Sequence, residues 1–303
     1  MAARKKLKDR RLAKILIIQG GPAKEDPKKN LKNLIHLMDA GCEKENYDYV
    51  CFSELAAYKY FAGVMDIRYL ALAEPIPGPT TDALSEKAQE YSTNIVLPVF
   101  EKGKVRGEFY NSTVIIGRDG NLIKGTLQDD SHIHCYRKVQ VPLRDKEVSE
   151  TYYFRRGPGY VVFDTDLAKI GTLICHDRSY PEGWRVLALM GAEIIFLGVN
   201  TWPKRRRHAF LSEISTMAIQ NGYFVVVSSK GGVETAEMKR TFIGKSAIIS
   251  PMGEILAEGP EDKGWILVSG EIDLDDVEQY HRTYHYFRDR RPELYGMISR
   301  HNI

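Results

Sequence analysis

Short apolar runs alternate with stretches of helical periodicity along most of the chain. The runs are rich in β-branched residues and too short for helices, so they predict strands over residues 14–19, 48–53, 94–100, 161–164, 170–175, 193–198, 223–229 and 244–250. Apolar positions at helical spacing predict helices between them, over residues 30–41, 81–91, 182–190 and 205–220. The alternation of strands and helices indicates an α/β fold.

Two turn signals add hairpins to this series. Asp119 and Gly120 separate residues 111–117 from residues 121–124, which is a strong hairpin pattern. Residues 251–254 form a second predicted turn, with strands predicted over residues 255–258 and 265–270. Helices on both sides of two sheets would account for this mixture. The pattern is compatible with a four-layer arrangement but does not by itself establish one.

The composition is that of a soluble globular protein with a full core. Apolar residues make up 43% and charged residues 27% of the 303 positions. We expect one large domain over residues 14–274, because α/β folds of this length are often single domains. No stretch approaches the roughly 20 apolar residues that cross a bilayer. The four cysteines lack the close pairs of zinc or redox sites, so we expect a cytoplasmic protein with free thiols and no membrane partner.

Basic residues are unevenly placed, although the net charge of +3 is small. Residues 1–13 are predicted to be a basic N-terminal tail. The basic residues over positions 1–14 are Arg4, Lys5, Lys6, Lys8, Arg10, Arg11 and Lys14. This run favours a solvated tail, with contact to anionic surfaces as the alternative. It lacks the apolar segment of a secretory signal. Only this run and residues 204–207 support a nucleic-acid binder, so we expect no nucleic-acid partner.

Two chemically reactive side chains stand at predicted strand ends. Cys175 closes the run 170–174 ahead of a turn at Tyr180–Pro181, which predicts a strand-to-helix bend near stabilising backbone amides. The alternative is an inert thiol, since Cys is among the most buried residue types. Glu54 ends the strand 48–53, where side chains of α/β sheets commonly face a ligand crevice. The alternative interpretation of Glu54 is a solvated carboxylate at the end of a strand.

Three ordered motifs carry a resemblance to a known family. Residues 52–55 (FSEL), 136–139 (YRKV) and 173–177 (LICHD) resemble the Glu, Lys and Cys motifs of the nitrilase superfamily of carbon-nitrogen hydrolases. The resemblance runs from residue 15 to residue 296. It is greatest to N-carbamoyl-D-amino-acid amidohydrolases, and it implies a four-layer αββα sandwich whose sheets stack across an αββα-αββα dimer.

The resemblance implies that Cys175 is the nucleophile, Glu54 the general base and Lys138 the partner of the oxyanion. A thiol with a pKa of about 8.5 needs a base near neutrality, and Glu54 would take its proton and later return it to the departing amine. Lys138 would stabilise the negative charge on the attacked carbonyl oxygen. Taken alone, Arg137 and Lys138 would be assigned to the charged surface. The backbone amide of His176 would be a second donor.

The family carries an additional structural glutamate between its Lys and Cys motifs. Glu150, which precedes the aromatic segment 151–154, matches that place, and Glu147 is a neighbouring competitor. The implied reaction is thiolate attack on a carbonyl, expulsion of an amine or ammonia, and hydrolysis of the thioester-like intermediate by water. A carbamoyl substrate would end as free amine, carbon dioxide and ammonia.

Substrate recognition departs from the most similar branch. D-carbamoylases hold the substrate carboxylate with adjacent arginines, of which Arg178 matches the first while Ser179 replaces the second. One bidentate clamp is therefore kept and one is lost. Asn200 and Thr201 are further pocket candidates. The basic residues 204–207 would either replace the missing cation or form the solvated start of a helix.

Two further functional classes stay open beside a cysteine-dependent hydrolase of an N-carbamoyl amine or amino acid. An amidase or nitrilase is the runner-up within the same chemistry. A non-catalytic binding or interaction protein has no chemical need for all three motif residues, and a nucleic-acid binder rests on the basic runs. We expect a small-molecule substrate, no cofactor and no metal, because His132 and His134 lack a third ligand. The arm over residues 275–303 predicts a homodimer or homotetramer interface.

Overall fold

A computed structural model describes residues 10–144, 148–202, 204–235 and 239–300. The strands in chain order are β1 (Leu12–Gln19), β2 (Tyr49–Phe52), β3 (Asn94–Lys102), β4 (Phe109–Ile116), β5 (Gly125–Leu127), β6 (His132–Ile133), β7 (Tyr136–Arg137), β8 (Leu143–Arg144), β9 (Val148–Ser149), β10 (Val161–Asp164), β11 (Lys169–Ile174), β12 (Ile194–Val199), β13 (Phe224–Ser229), β14 (Gly231–Thr235), β15 (Lys239–Ile243), β16 (Ala247–Ile249), β17 (Ile255–Glu258) and β18 (Ile266–Asp273). The helices are α1 (Pro27–Cys42), α2 (Pro79–Tyr91), α3 (Glu150–Tyr153), α4 (Pro181–Leu189), α5 (Phe210–Asn221) and α6 (Asp275–Thr283). Short 3-10 turns cover Ile67–Leu72, Cys175–Ser179, Lys204–Ala209 and Pro292–Leu294.

Two large sheets form the centre of the molecule. The first has the order β18-β1-β2-β3-β4-β7, with β1, β2 and β3 parallel. The second has the order β17-β16-β13-β12-β11-β10-β5-β6, with β11, β12 and β13 parallel. Neighbouring parallel strands end at the same edge of their sheet, which is where α/β proteins commonly bind ligands.

The layering follows from the two faces of each strand. In β1, Ile15 and Ile17 belong to the apolar cluster shared with the second sheet, whereas Leu16 and Ile18 pack with α1 and α2. Helices α4 and α5 cover the outer face of the second sheet. Each sheet therefore has helices on one face and the other sheet on its second face. The predicted four-layer αββα sandwich is confirmed.

Two local expectations differ from the structure, and one hairpin was not expected. The helix predicted over residues 205–220 divides into the 3-10 turn Lys204–Ala209 and α5. Asp119 and Gly120 form a tight turn, but only a single bridge between Ile116 and Leu122 follows it, since β5 joins the second sheet beside β10. The hairpin of β14 and β15 has no counterpart among the predicted elements.

The basic residues near the amino end pair with acidic groups of the folded body wherever the structure describes them. Arg11 donates to Glu193, and Arg10 and Lys14 pair with Asp273 and Glu45. The folded body therefore begins before residue 14. Within the described ranges, the helices are all too short or too polar to cross a membrane.

Candidate active site

The ends of four strands bring polar side chains to one place between the sheets. Glu54 follows β2, Lys138 follows β7, Cys175 follows β11 and Asn200 follows β12. Glu54 and Lys138 are fully buried, and Asn200 is nearly so. Glu150, the first residue of α3, is buried beside them.

Lys138 lies between two carboxylates. Its Nζ donates to Glu54 Oε1 at 2.9 Å and to Glu150 Oε2 at 2.7 Å. Burial alone would lower the pKa of Lys138, but Glu150 and Glu54 together outweigh it and raise the pKa above its ordinary value. Burial raises the pKa of Glu150 to about 7, against the opposing effect of Lys138. The site thus keeps a permanent ammonium next to two acids in different environments.

Three donors fix the carboxylate of Glu54. Besides Lys138, Asn111 Nδ2 donates to Oε1 at 2.8 Å and the backbone N–H of Asn200 donates to Oε2 at 3.0 Å. The Asn200 side chain also donates to the carbonyl oxygen of Glu54 at 2.8 Å. Sequence reasoning missed Asn111, whose signal was a polar residue at the start of an apolar strand.

The backbone at Cys175 has a conformation that non-glycine residues rarely adopt. Its φ is +47°, and β11 ends one residue before it. Asp177 holds this bend, because its carboxylate accepts from the backbone N–H of Ile174 at 3.0 Å and of Gln140 at 2.8 Å. The hydroxyl of Tyr136 donates to the same carboxylate at 2.6 Å. One buried acid therefore joins the bend to the segment that carries Lys138.

The Cys175 thiol is a neutral group in this environment. Burial raises its pKa to about 12; the charge of Glu54 adds to this, and Lys138 and Arg178 oppose it. Its Sγ lies 3.6 Å from the carbonyl oxygen of Asn200 and 3.9 Å from Nη1 of Arg178. A base is therefore needed to generate the thiolate near neutral pH.

A cleft of about 460 Å³, including its open mouth, leads to Cys175. Glu150, Tyr60 and Trp202 are among the residues that line it. The rings of Tyr60 and Trp202 lie 4.7 Å apart, and the Tyr60 hydroxyl is 3.5 Å from Glu150 Oε1. The expected substrate-binding residues His176, Arg178, Asn200 and Thr201 also line this cleft. Sequence reasoning gave no role to Tyr60 or Trp202.

Arg178 is largely engaged within the protein. Its Nε donates to Glu213 Oε1 at 2.8 Å, its Nη1 to the carbonyl oxygen of Cys175 at 2.9 Å and its Nη2 to Thr201 Oγ1 at 3.3 Å. These contacts hold the guanidinium against the bend that carries the thiol. Ser179, the next residue, accepts a hydrogen bond from Arg206 at 3.1 Å.

Other candidates from the sequence lie elsewhere. Glu147, the competitor of Glu150, falls outside the described residues. His132 belongs to β6 at the edge of the second sheet. Across the described ranges, no three His, Cys, Asp or Glu side chains are grouped in a way that could hold a metal ion.

Known proteins are similar to this chain over most of its length. The carbon-nitrogen hydrolase family model matches residues 14–282. N-carbamoylputrescine amidase of Solanum lycopersicum is 29% identical over 287 residues, covering 90% of this chain and 91% of that protein. Citrullinase of Francisella tularensis subsp. tularensis is 31% identical over 256 residues, covering 82% and 85% of the two chains.

Solved structures share the fold along nearly the whole chain. A carbon-nitrogen hydrolase from Helicobacter pylori G27 superposes with a TM-score of 0.86 at 26% identity, covering 96% of this chain and 99% of that one. Nit3 of Saccharomyces cerevisiae, a member of branch 10 of the nitrilase superfamily, gives a TM-score of 0.79 at 20% identity, covering 92% and 97%. The chain therefore belongs to the carbon-nitrogen hydrolase family, within the nitrilase superfamily.

Proposed function

We propose that this protein uses Cys175 to hydrolyse the carbon–nitrogen bond of an N-carbamoyl amine or amino acid. The observation that carries the proposal is the convergence of a thiol, an ammonium and two carboxylates at the inner end of one cleft. Relatives named N-carbamoylputrescine amidase and citrullinase support a ureido substrate. The products would be the free amine, carbon dioxide and ammonia.

The first step transfers a proton from Cys175 to Glu54 as the sulfur attacks the carbonyl carbon. A thiol with a pKa of about 12 contributes little thiolate at neutral pH, so proton transfer must accompany the attack. The carboxylate of Glu54 is held by Asn111, Lys138 and the Asn200 amide. Because these donors hold the carboxylate in one orientation, it is already placed to accept the proton.

The attack places negative charge on the former carbonyl oxygen. Lys138 supplies a fixed positive charge in a site shielded from water, where such charge stabilises a transition state most strongly. Collapse of the tetrahedral intermediate breaks the carbon–nitrogen bond, and the proton on Glu54 passes to the departing nitrogen. Water then gives a proton to Glu54 and attacks the carbonyl, and collapse of the second tetrahedral intermediate breaks the carbon–sulfur bond as Glu54 returns the proton to the sulfur. The carbamic acid that is released loses carbon dioxide and leaves the second amine or ammonia.

Glu150 has a positioning role in this scheme. Its carboxylate holds Lys138 from the side opposite Glu54, so the ammonium stays between the two acids. Because its pKa is raised to about 7, Glu150 is partly protonated near neutrality, which limits the negative charge near the sulfur.

Ammonia release from a substrate panel tests the proposal. The panel contains N-carbamoyl-D- and L-amino acids, N-carbamoyl-β-alanine, N-carbamoylputrescine, simple carboxamides and nitriles. We expect turnover of ureido compounds, its loss in Cys175→Ala with an unchanged melting temperature, and its retention in Cys42→Ala, a control thiol on α1. An active Cys175→Ala enzyme would refute the mechanism. Turnover of carboxamides or nitriles alone would show that the substrate is an amide or a nitrile and not a ureido compound.

A further inference from the structure

Two arginines that line the cleft share one carboxylate. Arg178 Nε donates to Glu213 Oε1 at 2.8 Å, and Arg206 Nη2 donates to Glu213 Oε2. The arrangement around Lys138 is the opposite, because there one ammonium lies between two carboxylates, Glu54 and Glu150. The two guanidinium groups with Glu213 therefore carry an excess of one positive charge, whereas Lys138 with Glu54 and Glu150 carries no positive excess.

This separation of charge orients a ligand. An anionic group would meet no positive excess around Lys138, and it would be attracted by the guanidinium of Arg206, whose side chain is the more exposed of the two. An uncharged ureido group needs no such excess beside Cys175. The cleft thus suits a molecule with a neutral reacting end and an anionic outer end.

The two arginines differ in what their donors can reach. The Arg178 side chain is 7% exposed, and it already contacts Glu213, the carbonyl oxygen of Cys175 and Thr201. The Arg206 side chain is 41% exposed, and two of its five N–H groups account for its contacts with Glu213 and Ser179. Arg206 therefore combines a fixed position with capacity to bind a ligand.

Given the ureido hydrolase function proposed above, we propose that the substrate carries a carboxylate and that Arg206 binds it at the mouth of the cleft. Glu213 and Ser179 hold the Arg206 guanidinium in place. A guanidinium matches the planar geometry of a carboxylate and can donate to both of its oxygens. Arg206 is then a specificity-determining residue contributed by the 3-10 turn over residues 204–209.

Matched substrate pairs measure the contribution of the carboxylate. N-carbamoylglycine is compared with ethylurea and N-carbamoyl-β-alanine with propylurea, each pair differing in a carboxylate against a methyl group. We expect the wild-type kcat/KM to be at least about ten-fold higher for the carboxylate member, as one charge-assisted hydrogen bond suggests. N-carbamoylputrescine, with a cationic end, should be the poorer substrate.

Variants assign the preference to Arg206. Arg206→Gln should raise KM for the carboxylate substrates about ten- to hundred-fold, with little change in kcat and little change for the alkylureas. Arg206→Lys should recover part of the loss. Arg207→Gln is the matched control, because Arg207 pairs with Asp262 and Glu261 outside the cleft, and it should leave both pairs unchanged.

The outcomes separate this inference from the proposed function. Equal or better turnover of alkylureas or N-carbamoylputrescine by the wild type overturns the carboxylate preference while the ureido activity stands. Equal losses on both members of a pair in Arg206→Gln overturn the role of Arg206. If no ureido compound is hydrolysed, the proposed function fails. Calorimetry of the same pairs with Cys175→Ala then decides the inference: tighter binding of the carboxylate member supports it, and equal binding overturns it.

Discussion

Asn111 Nδ2 donates a hydrogen bond to Oε1 of Glu54 over 2.8 Å. The same oxygen accepts from Lys138, so the amide and the ammonium together fix the direction of the carboxylate. Asn111 is not among the described residues that line the cleft, and we therefore regard it as a positioning residue for the general base.

Removing this amide should slow the chemical step more than it weakens binding. We expect Asn111→Ala to lower kcat about ten- to hundred-fold with little change in KM, the range for a hydrogen bond to a charged group. Asn94→Ala is the matched control, since Asn94 is a buried strand residue that donates to Asp166 away from the cleft. Steady-state kinetics of both variants checks this, and an unchanged kcat in Asn111→Ala would remove the positioning role.

Glu150 should make stability depend on pH. Burial raises its pKa to about 7, so the folded state holds a proton that the unfolded state, with a pKa of about 4.3, has already released. The favourable contribution of this proton is complete below the unfolded pKa. It is lost as the pH rises through the folded pKa, and the free energy of unfolding falls over that window.

Glu150→Gln removes this dependence at one position. We expect the variant to gain stability relative to the wild type between pH 5 and pH 8, by on the order of 1–3 kcal/mol. Urea denaturation across that range measures the difference. Glu86→Gln, an exposed position on α2, should show no such trend. Parallel curves for Glu150→Gln and the wild type would contradict the raised pKa.

Much of the fold could be predicted because buried strands leave continuous apolar runs. Strand β10 lies at its predicted residues, and β11 and β12 lie within one residue of theirs. The active-site positions followed from the same pattern, since Glu54 and Cys175 stand where apolar runs end. The motif resemblance added Lys138 and Glu150, which follow no long apolar run.

The hairpin of β14 and β15 escaped prediction because two of its buried residues are charged. Glu234 is 3% exposed and accepts from Lys230 and from the backbone N–H groups of Ala23 and Tyr60. Arg240 is 4% exposed, and its guanidinium lies 5.0 Å from the Trp202 ring. Charged side chains in a sequence indicate an exposed segment, and only their tertiary partners make this burial tolerable.

A subunit interface formed by the C-terminal arm stays a prediction. Leu294, Met297 and Ile298 are each more than half exposed, and a groove joins Ile298 to Leu189 of α4. Exposed apolar patches of this kind are typical of interaction surfaces, and we expect a second copy of the chain to cover this one.

Light scattering after gel filtration tests this expectation. The wild type should elute as a dimer or tetramer, and Ile298→Asp should shift it toward a smaller species. Val105→Asp, an exposed apolar position between β3 and β4, should leave the mass unchanged. A monomeric wild type would exclude the interface.

Alkylation of Cys175 should reveal a neutral thiol. With a pKa raised to about 12 by burial and by Glu54, the thiolate fraction grows about ten-fold for each pH unit, so the rate with iodoacetamide should rise in proportion between pH 7 and pH 10. Mass mapping of residue 175 measures the rate, and Cys175→Ala corrects for labelling of the other cysteines. A rate independent of pH above 7 would indicate a preformed thiolate and remove the need for a base.

Glu54→Gln then separates the base from its charge. The negative charge of Glu54 raises the pKa of Cys175, so its removal should lower that pKa and speed alkylation at a given pH. Hydrolysis should nevertheless be lost, because the amide cannot take the proton from the sulfur or deliver it to the departing nitrogen. Faster alkylation together with lost turnover supports Glu54 as the general base. Retained turnover in Glu54→Gln would assign that role to another group.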